Sequence, residues 1–63
     1  MSTEEVLDAF ERYVRKSGHS DGQTATDVGI RRSTLKDWLA RQGCPDRYLI
    51  ARLAGFLRRA GYL

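Results

Sequence analysis

The strongest constraint on the fold is a break of about three residues at Gly29, which separates two stretches with helical spacing of apolar residues. The first stretch predicts a short helix at 21–28, and the second predicts a helix from 32 to about 42. Glycine readily adopts the left-handed conformation that follows many helices, so Gly29 is suited to end the first one. A connection of about three residues is too short for two helices to pack antiparallel, so we expect the helices to cross steeply.

The residue types around this break meet the requirements of a steep crossing. Such a crossing needs a small residue inside the first helix, a glycine at the turn and apolar residues on the buried side of the second helix. The chain has these in order as Ala25, Gly29, Ile30, Leu35 and Trp38. The opposite side of the second helix carries nothing large and apolar, and is formed by Ser33, Lys36, Asp37 and Ala40. We therefore predict a helix-turn-helix at about 21–42 with one side of its second helix exposed.

The segments before and after this motif predict further helices. Ser2 and Glu5 have the spacing of a capping box, which begins a helix at about 3–16, and Gly18 is placed to end it. After the motif, Asp46 is a suitable N-cap for another helix.

The last helix carries two glycines. Gly55 weakens it, and Gly61 ends either one helix or a split pair of helices. No stretch has the alternation that is typical of a strand, and no linker or repeat divides the chain. We predict an all-α fold with a single domain at 1–63, built from four to five short helices.

The net charge of +3 is unevenly distributed along the chain. Residues 1–21 contain three basic and five acidic side chains, whereas residues 22–63 contain eight basic and three acidic ones. The two parts therefore carry net charges of −2 and +5. A strongly basic second part favours a polyanionic partner, although solubility alone can produce such an asymmetry.

Composition disfavours several classes of function. Cys44 is the only cysteine, which excludes an internal disulfide and a cysteine-cluster metal site, so we expect neither a metal nor another cofactor. One histidine and no paired carboxylates leave nothing with which to build a catalytic site, so we expect no enzyme. A chain of this length has no room for a separate domain that senses a small-molecule ligand.

The sequence also predicts where the protein resides. No apolar run approaches the length of a membrane span, and the acidic start MSTEEV is unlike the positively charged head of a signal peptide. We therefore expect a cytoplasmic protein that does not enter a membrane.

Ala25, Gly29, Leu35 and Trp38 lie in the stretch SDGQTATDVGIRRSTLKDWLARQG. With this spacing the stretch resembles the helix-turn-helix of the phage Cro and repressor family, also called the Xre type. The resemblance extends to the segment VLDAFERYVRKSGHS, which is similar to the family's first helix, and to CPDRYLIARLAGFL, which is similar to its closing helices. The motif is also similar to the carboxy-terminal helix-turn-helix of the nucleoid protein Fis. Either resemblance implies a protein that binds double-stranded DNA.

The Cro resemblance implies which residues read bases. They are Arg32 and Ser33 at the start of the second helix, with Lys36 and Asp37 one turn later. Their chemistry agrees, because arginine or lysine can donate to guanine O6 and N7, serine can serve several bases, and aspartate can accept from cytosine N4. Each residue also has a structural alternative as a solvated side chain, and Asp37 suits an ion pair with Arg41 four residues later.

Other side chains near this surface suit the phosphate backbone, which positions a protein without reading sequence. Arg31, Thr34 and Arg41 flank the base-reading side of the helix, whereas Gln23 and Arg47 are weaker candidates for phosphate contacts.

Two residues depart from the family's pattern. His19 occupies a position that is usually apolar, and we expect a junction residue with a hydrogen-bonded ring. Asp21 stands where the family often has a glutamine that binds a phosphate, and a carboxylate there repels DNA.

The final segment FLRRAGYL allows two alternatives. This segment has more apolar side-chain surface than a short helix can bury, which predicts a dimer surface formed by Phe56, Tyr62 and Leu63. Alternatively, the tail folds back and completes the monomer. Since one such helix reads only a few base pairs, we expect a weak homodimer that binds an operator with an inverted repeat.

The leading hypothesis is a sequence-specific DNA-binding regulator associated with the nucleoid of a bacterial host. The resemblance implies a Cro-like repressor of a phage or other mobile element, which blocks a promoter by occupying it. One alternative is a helical protein-interaction module such as an antitoxin, in which the basic side is only solvated. Another is an accessory DNA-binding factor for recombination or transposition.

Overall fold

A computed structural model describes residues 2–43 and 45–63, so Cys44 lies outside the described residues. Within these residues the chain forms four helices and no strand: α1 Thr3–Ser17, α2 Asp21–Val28, α3 Arg32–Ala40 and α4 Arg47–Arg59. The prediction of an all-α fold is confirmed. The final segment forms one helix that continues through Gly55, so the number of helices is four and not five.

All four helices begin at the residues that the sequence predicts, and side chains cap three of them. Ser2 and Glu5 form the capping box of α1, with the Ser2 Oγ accepting from the Glu5 amide at 3.2 Å and the Glu5 carboxylate accepting from the Ser2 amide at 3.1 Å. These hydrogen bonds to Ser2 lower the pKa of Glu5. Ser20 caps α2 through the Gln23 amide, and Asp46 caps α4 through the first amides of that helix.

The end of α3 differs from the prediction that this helix runs to about Gln42. The helix ends at Ala40 because Arg41 adopts the left-handed conformation at φ 57°, where glycine is usually found. The Gln42 amide then donates to the Asp37 carbonyl at 2.9 Å, and the helix ends two residues earlier than predicted. The glycines at the ends of α1 and α2, Gly18 and Gly29, have positive φ as predicted.

The core lies where the four helices meet. α1 packs against α3 and α4, and α2 packs against α3 and α4. The buried apolar residues are Val6, Leu7, Ala9, Phe10, Ala25, Val28, Leu35, Trp38, Leu53 and Leu57. The Trp38 side chain is 3% exposed and its ring meets the Phe10 ring edge to face, with centroids 6.0 Å apart. This contact holds the inner side of α3 against α1.

The carboxy-terminal tail folds back onto the same chain. Gly61 has φ 87°, and the Tyr62 amide donates to the Leu57 carbonyl at 2.8 Å, which turns the chain after α4. The Tyr13 ring lies 5.2 Å from the Phe56 ring and 5.5 Å from the Tyr62 ring. Two of the three residues predicted as a dimer surface therefore complete the core of the monomer.

Thr24 is a buried polar residue without a hydrogen-bond partner for its side chain. It lies in α2 with no exposed surface, and its Oγ1 has no partner among the described residues. We expect Thr24→Val to stabilise the fold by about 1–2 kcal/mol, because the variant replaces an unsatisfied hydroxyl with a methyl group of similar shape. Urea and thermal denaturation measure this change, which corresponds to a melting temperature higher by about 4–8 °C per kcal/mol.

Thr26 offers a matched control in the same helix. It is exposed, and its Oγ1 donates to the Gly22 carbonyl at 2.9 Å. Thr26→Val is expected to change stability by no more than about 0.5 kcal/mol. Equal changes in stability for Thr24→Val and Thr26→Val would show that the Thr24 hydroxyl has a hydrogen-bond partner in solution.

Candidate functional site

The turn between α2 and α3 is short because Gly29 ends α2 in the left-handed conformation and changes the direction of the chain. The amides of Gly29 and Ile30 both donate to the Ala25 carbonyl, at 2.8 and 2.9 Å, and Gly29 has φ 87°. Glycine is favoured here by this positive φ, and a Cβ at this position would lie 3.2 Å from the Nη1 at the end of the Arg52 side chain. Since α3 begins at Arg32, residues 29–31 are the whole connection, as the sequence predicts.

The two sides of α3 have opposite character. Leu35 and Trp38 are buried, whereas the four residues that the resemblance assigns to base reading are all exposed: Arg32, Ser33, Lys36 and Asp37. Successive turns of the helix bring these four onto one side. That side therefore presents two cations, a hydroxyl and a carboxylate over less than two helical turns.

The amino-terminal end of α3 is electrostatically positive. Its N-cap residue, Arg31, contributes no side-chain hydrogen bond, whereas side chains cap the other three helices. The positive end of the helix dipole is therefore not compensated by a capping oxygen, and Arg31 and Arg32 add two charges beside it. Arg32 also reaches α2, since its Nε lies 3.8 Å from the position that a Cβ on Gly22 would take.

The structure divides the residues predicted to contact phosphates. Arg31 and Thr34 line the groove between the start of α3 and α4, next to the exposed side of α3. Arg47 lies in another groove, between the start of α1 and α4, together with Thr3 and Val6. Arg47 is therefore not part of the surface that α3 presents.

Gln23 and His19 both contact Asp27 at the outer side of α2. The Gln23 Nε2 donates to the Asp27 Oδ1 at 2.8 Å, and the His19 Nδ1 lies 3.6 Å from the Asp27 Oδ2. Asp27 thus occupies one amide donor of Gln23, which leaves the other for a phosphate.

Arg41 is bound to α1. Its Nη2 lies 2.6 Å from the Asp8 Oδ1 and 3.6 Å from the Glu11 Oε2, and its Nη1 donates to the Trp38 carbonyl at 3.0 Å. The expected ion pair with Asp37 is wrong, because the left-handed conformation of Arg41 takes its side chain off the α3 helix and towards α1. Any phosphate contact by Arg41 would compete with these carboxylates.

Substitution of Arg41 tests the left-handed end of α3. Arg41→Ala and Arg41→Gly both remove the ion pairs, but only alanine keeps a Cβ in the left-handed conformation. We expect the glycine variant to be more stable than the alanine variant by about 1 kcal/mol, as measured by urea denaturation.

The neighbouring Ala40 is the control, because it is the last helical residue of α3 and has no positive φ. Ala40→Gly is expected to destabilise the fold by about 0.5–1 kcal/mol. If Arg41→Gly were less stable than Arg41→Ala, Arg41 would not adopt the left-handed conformation in solution.

The sequence does not predict that Arg52 and Tyr48 lie beside the helix-turn-helix, and Tyr48 is expected from it in the core or on a dimer surface. The Arg52 Nη1 donates to the Gly29 carbonyl at 3.3 Å, and the Arg52 guanidinium lies 5.9 Å from the centre of the Tyr48 ring. Tyr48 is 72% exposed. Their spacing of four residues within one helix was a signal that they are neighbours, but the contact with Gly29 spans 23 residues and depends on the tertiary structure.

No protein-family model, curated protein or solved structure matches this chain. No helix formed by residues 2–43 and 45–63 is long and apolar enough to cross a membrane. Function is therefore inferred from the geometry and charge of the helices.

Proposed function

We propose that the protein is a sequence-specific DNA-binding regulator that places the exposed side of α3 in the major groove. The observation that supports this proposal is the two-sided character of α3, which is anchored by Leu35 and Trp38 and exposes Arg32 and Lys36. The major groove admits an α-helix and presents a different pattern of donors and acceptors for each base pair.

Each exposed residue of α3 has a distinct role in this proposal. Arg32 and Lys36 donate to guanine O6 and N7, Ser33 donates to or accepts from a base edge, and Asp37 accepts from cytosine N4. Arg31 and Thr34 contact phosphates beside the groove and so set the position of α3 without reading sequence.

Charge supports DNA as the partner. Residues 21–63, which include the whole helix-turn-helix, carry a net charge of +4. The acidic side chains of α1 further neutralise Arg41, so the basic groups that remain for a polyanion are concentrated around α3 and α4. Neutralising phosphates releases counterions, which favours binding and makes it dependent on salt.

The proposed mode of regulation is occlusion of a promoter, as in the Cro-like repressors of phages and mobile elements that the sequence resembles. An accessory factor for recombination or transposition would use the same side of α3. An interaction module that docks proteins on its apolar tail is less well supported, because Phe56 and Tyr62 pack against Tyr13 of the same chain.

Selection of bound sequences from a pool of random DNA duplexes tests this proposal. We expect enrichment of a short motif and a steep loss of affinity with added salt. Recovery of no common motif, together with affinity independent of salt, would contradict a DNA-binding function.

We also predict a weak dimer that forms on DNA. Leu63 is 37% exposed, whereas Phe56 and Tyr62 are partly buried within the monomer, so this tail offers little apolar surface for association in solution. Two α3 helices about 34 Å apart would read adjacent major grooves of an inverted repeat.

Titration of a half-site against the full repeat measures this cooperativity. Tighter binding per subunit to the full repeat, with two chains bound, is the expected result. Equal affinities, with one chain bound per full site at saturation, would exclude the dimer.

A further inference from the structure

Arg52 and Tyr48 form an ordered pair beside the turn of the helix-turn-helix. The guanidinium of Arg52 donates to the Gly29 carbonyl and lies 5.9 Å from the centre of the Tyr48 ring. Both residues are exposed on α4, although one of them is a large aromatic side chain. Neither residue belongs to the buried core.

The positive charge of Arg52 is not neutralised by the groups that hold it. Within residues 2–43 and 45–63, Arg15 and Arg41 have carboxylates within 4 Å, whereas Arg52 has a backbone carbonyl and an aromatic ring as its partners. A guanidinium has five N–H donors, and the carbonyl of Gly29 occupies one of them. The remaining donors are available to an anion.

The position of Arg52 points to the kind of anion. Gly29, which Arg52 contacts, lines one groove together with Arg31, Thr34 and Leu49. This groove runs beside the start of α3, where the proposed base-reading side begins. Arg31 lines this groove and Arg52 contacts Gly29, which also lines it, so both positive charges lie near the turn that precedes α3.

We propose that Arg52 binds a phosphate of the DNA backbone that flanks the α3 groove, while the Tyr48 ring packs against the neighbouring sugar. This inference rests on the proposed function and extends its surface from α3 to α4. The Gly29 carbonyl and the Tyr48 ring hold the guanidinium in place, which reduces the entropy lost on binding. Arginine suits this role because its planar donors match two oxygens of a phosphate.

Arg52→Gln removes the charge of Arg52 but keeps a polar side chain, and its shorter amide also loses the contact with the Gly29 carbonyl. Arg52→Lys keeps the charge but loses the planar donors. Arg12→Gln is the matched control, since Arg12 is exposed on α1, a helix with four acidic residues. Thermal denaturation followed by circular dichroism verifies that each variant is folded.

The measurement is the affinity for a short duplex of mixed sequence over a series of salt concentrations. We expect Arg52→Gln to make the slope of log K against log salt shallower by about 0.9, the value for one phosphate. Arg52→Lys and Arg12→Gln are expected to keep the slope of the wild type.

The outcomes distinguish this inference from the proposed function. If the wild type binds no duplex, the proposed function fails. If the wild type binds and Arg32→Ala weakens binding, but Arg52→Gln leaves the slope unchanged, the contact at Arg52 is overturned and the role of α3 stands. Equal changes of slope for Arg52→Gln and Arg12→Gln would indicate a general effect of net charge, which also overturns the contact.

Discussion

Trp38→Ala is expected to destabilise the protein by about 3–5 kcal/mol, which is most of the stability of a domain this small. The Trp38 side chain is 3% exposed and packs edge to face against Phe10, so its removal leaves a cavity between α3 and α1. Circular dichroism during thermal and urea denaturation measures the loss. We expect DNA binding to be lost together with the fold.

Tyr48→Ala is the matched control for this prediction, because it also removes an aromatic ring but from an exposed position. It is expected to change stability by about 0.5 kcal/mol or less. A Trp38→Ala protein that melts near the temperature of the wild type would show that α3 does not pack in this orientation.

The second large effect is expected on DNA affinity. Arg32→Ala should weaken binding to the selected sequence by about 1–3 kcal/mol and relax the preference at one base pair, because the proposed contact with a base edge is lost. Lys36→Ala is expected to act in the same way at another position. Since both side chains are exposed, neither substitution should alter the fold.

Binding to the selected duplex and to its single base-pair variants measures both the affinity and the preference. Arg12→Ala removes the same charge from α1 and should preserve the order of preference among the duplexes. If Arg32→Ala and Lys36→Ala both bound like the wild type while remaining folded, the base-reading role of α3 would lose its main support.

The local parts of the fold were predictable because they depend on residues close in the chain. The capping box of Ser2 and Glu5, the start of α2 after Ser20 and the turn at Gly29 each involve hydrogen bonds that span no more than five residues. The buried side of α3 follows from the spacing of Leu35 and Trp38. The amino-acid sequence by itself therefore determined where the helices begin and which side of α3 is exposed, but not whether the last segment forms one helix or two.

Contacts between distant segments were decided only by the tertiary structure. Arg41 pairs with Asp8 across 33 residues, and this contact accompanies a left-handed residue that local spacing does not predict. Arg52 reaches Gly29 across 23 residues, and the aromatic contacts of Tyr13 place Tyr62 in the monomer. Helical periodicity specifies which side of a helix is apolar, but it does not specify which group of another helix or turn a charged side chain contacts. The choice of partner depends on how the helices pack. Arg41 meets Asp8 and Arg52 meets Gly29 only when the four helices share one core.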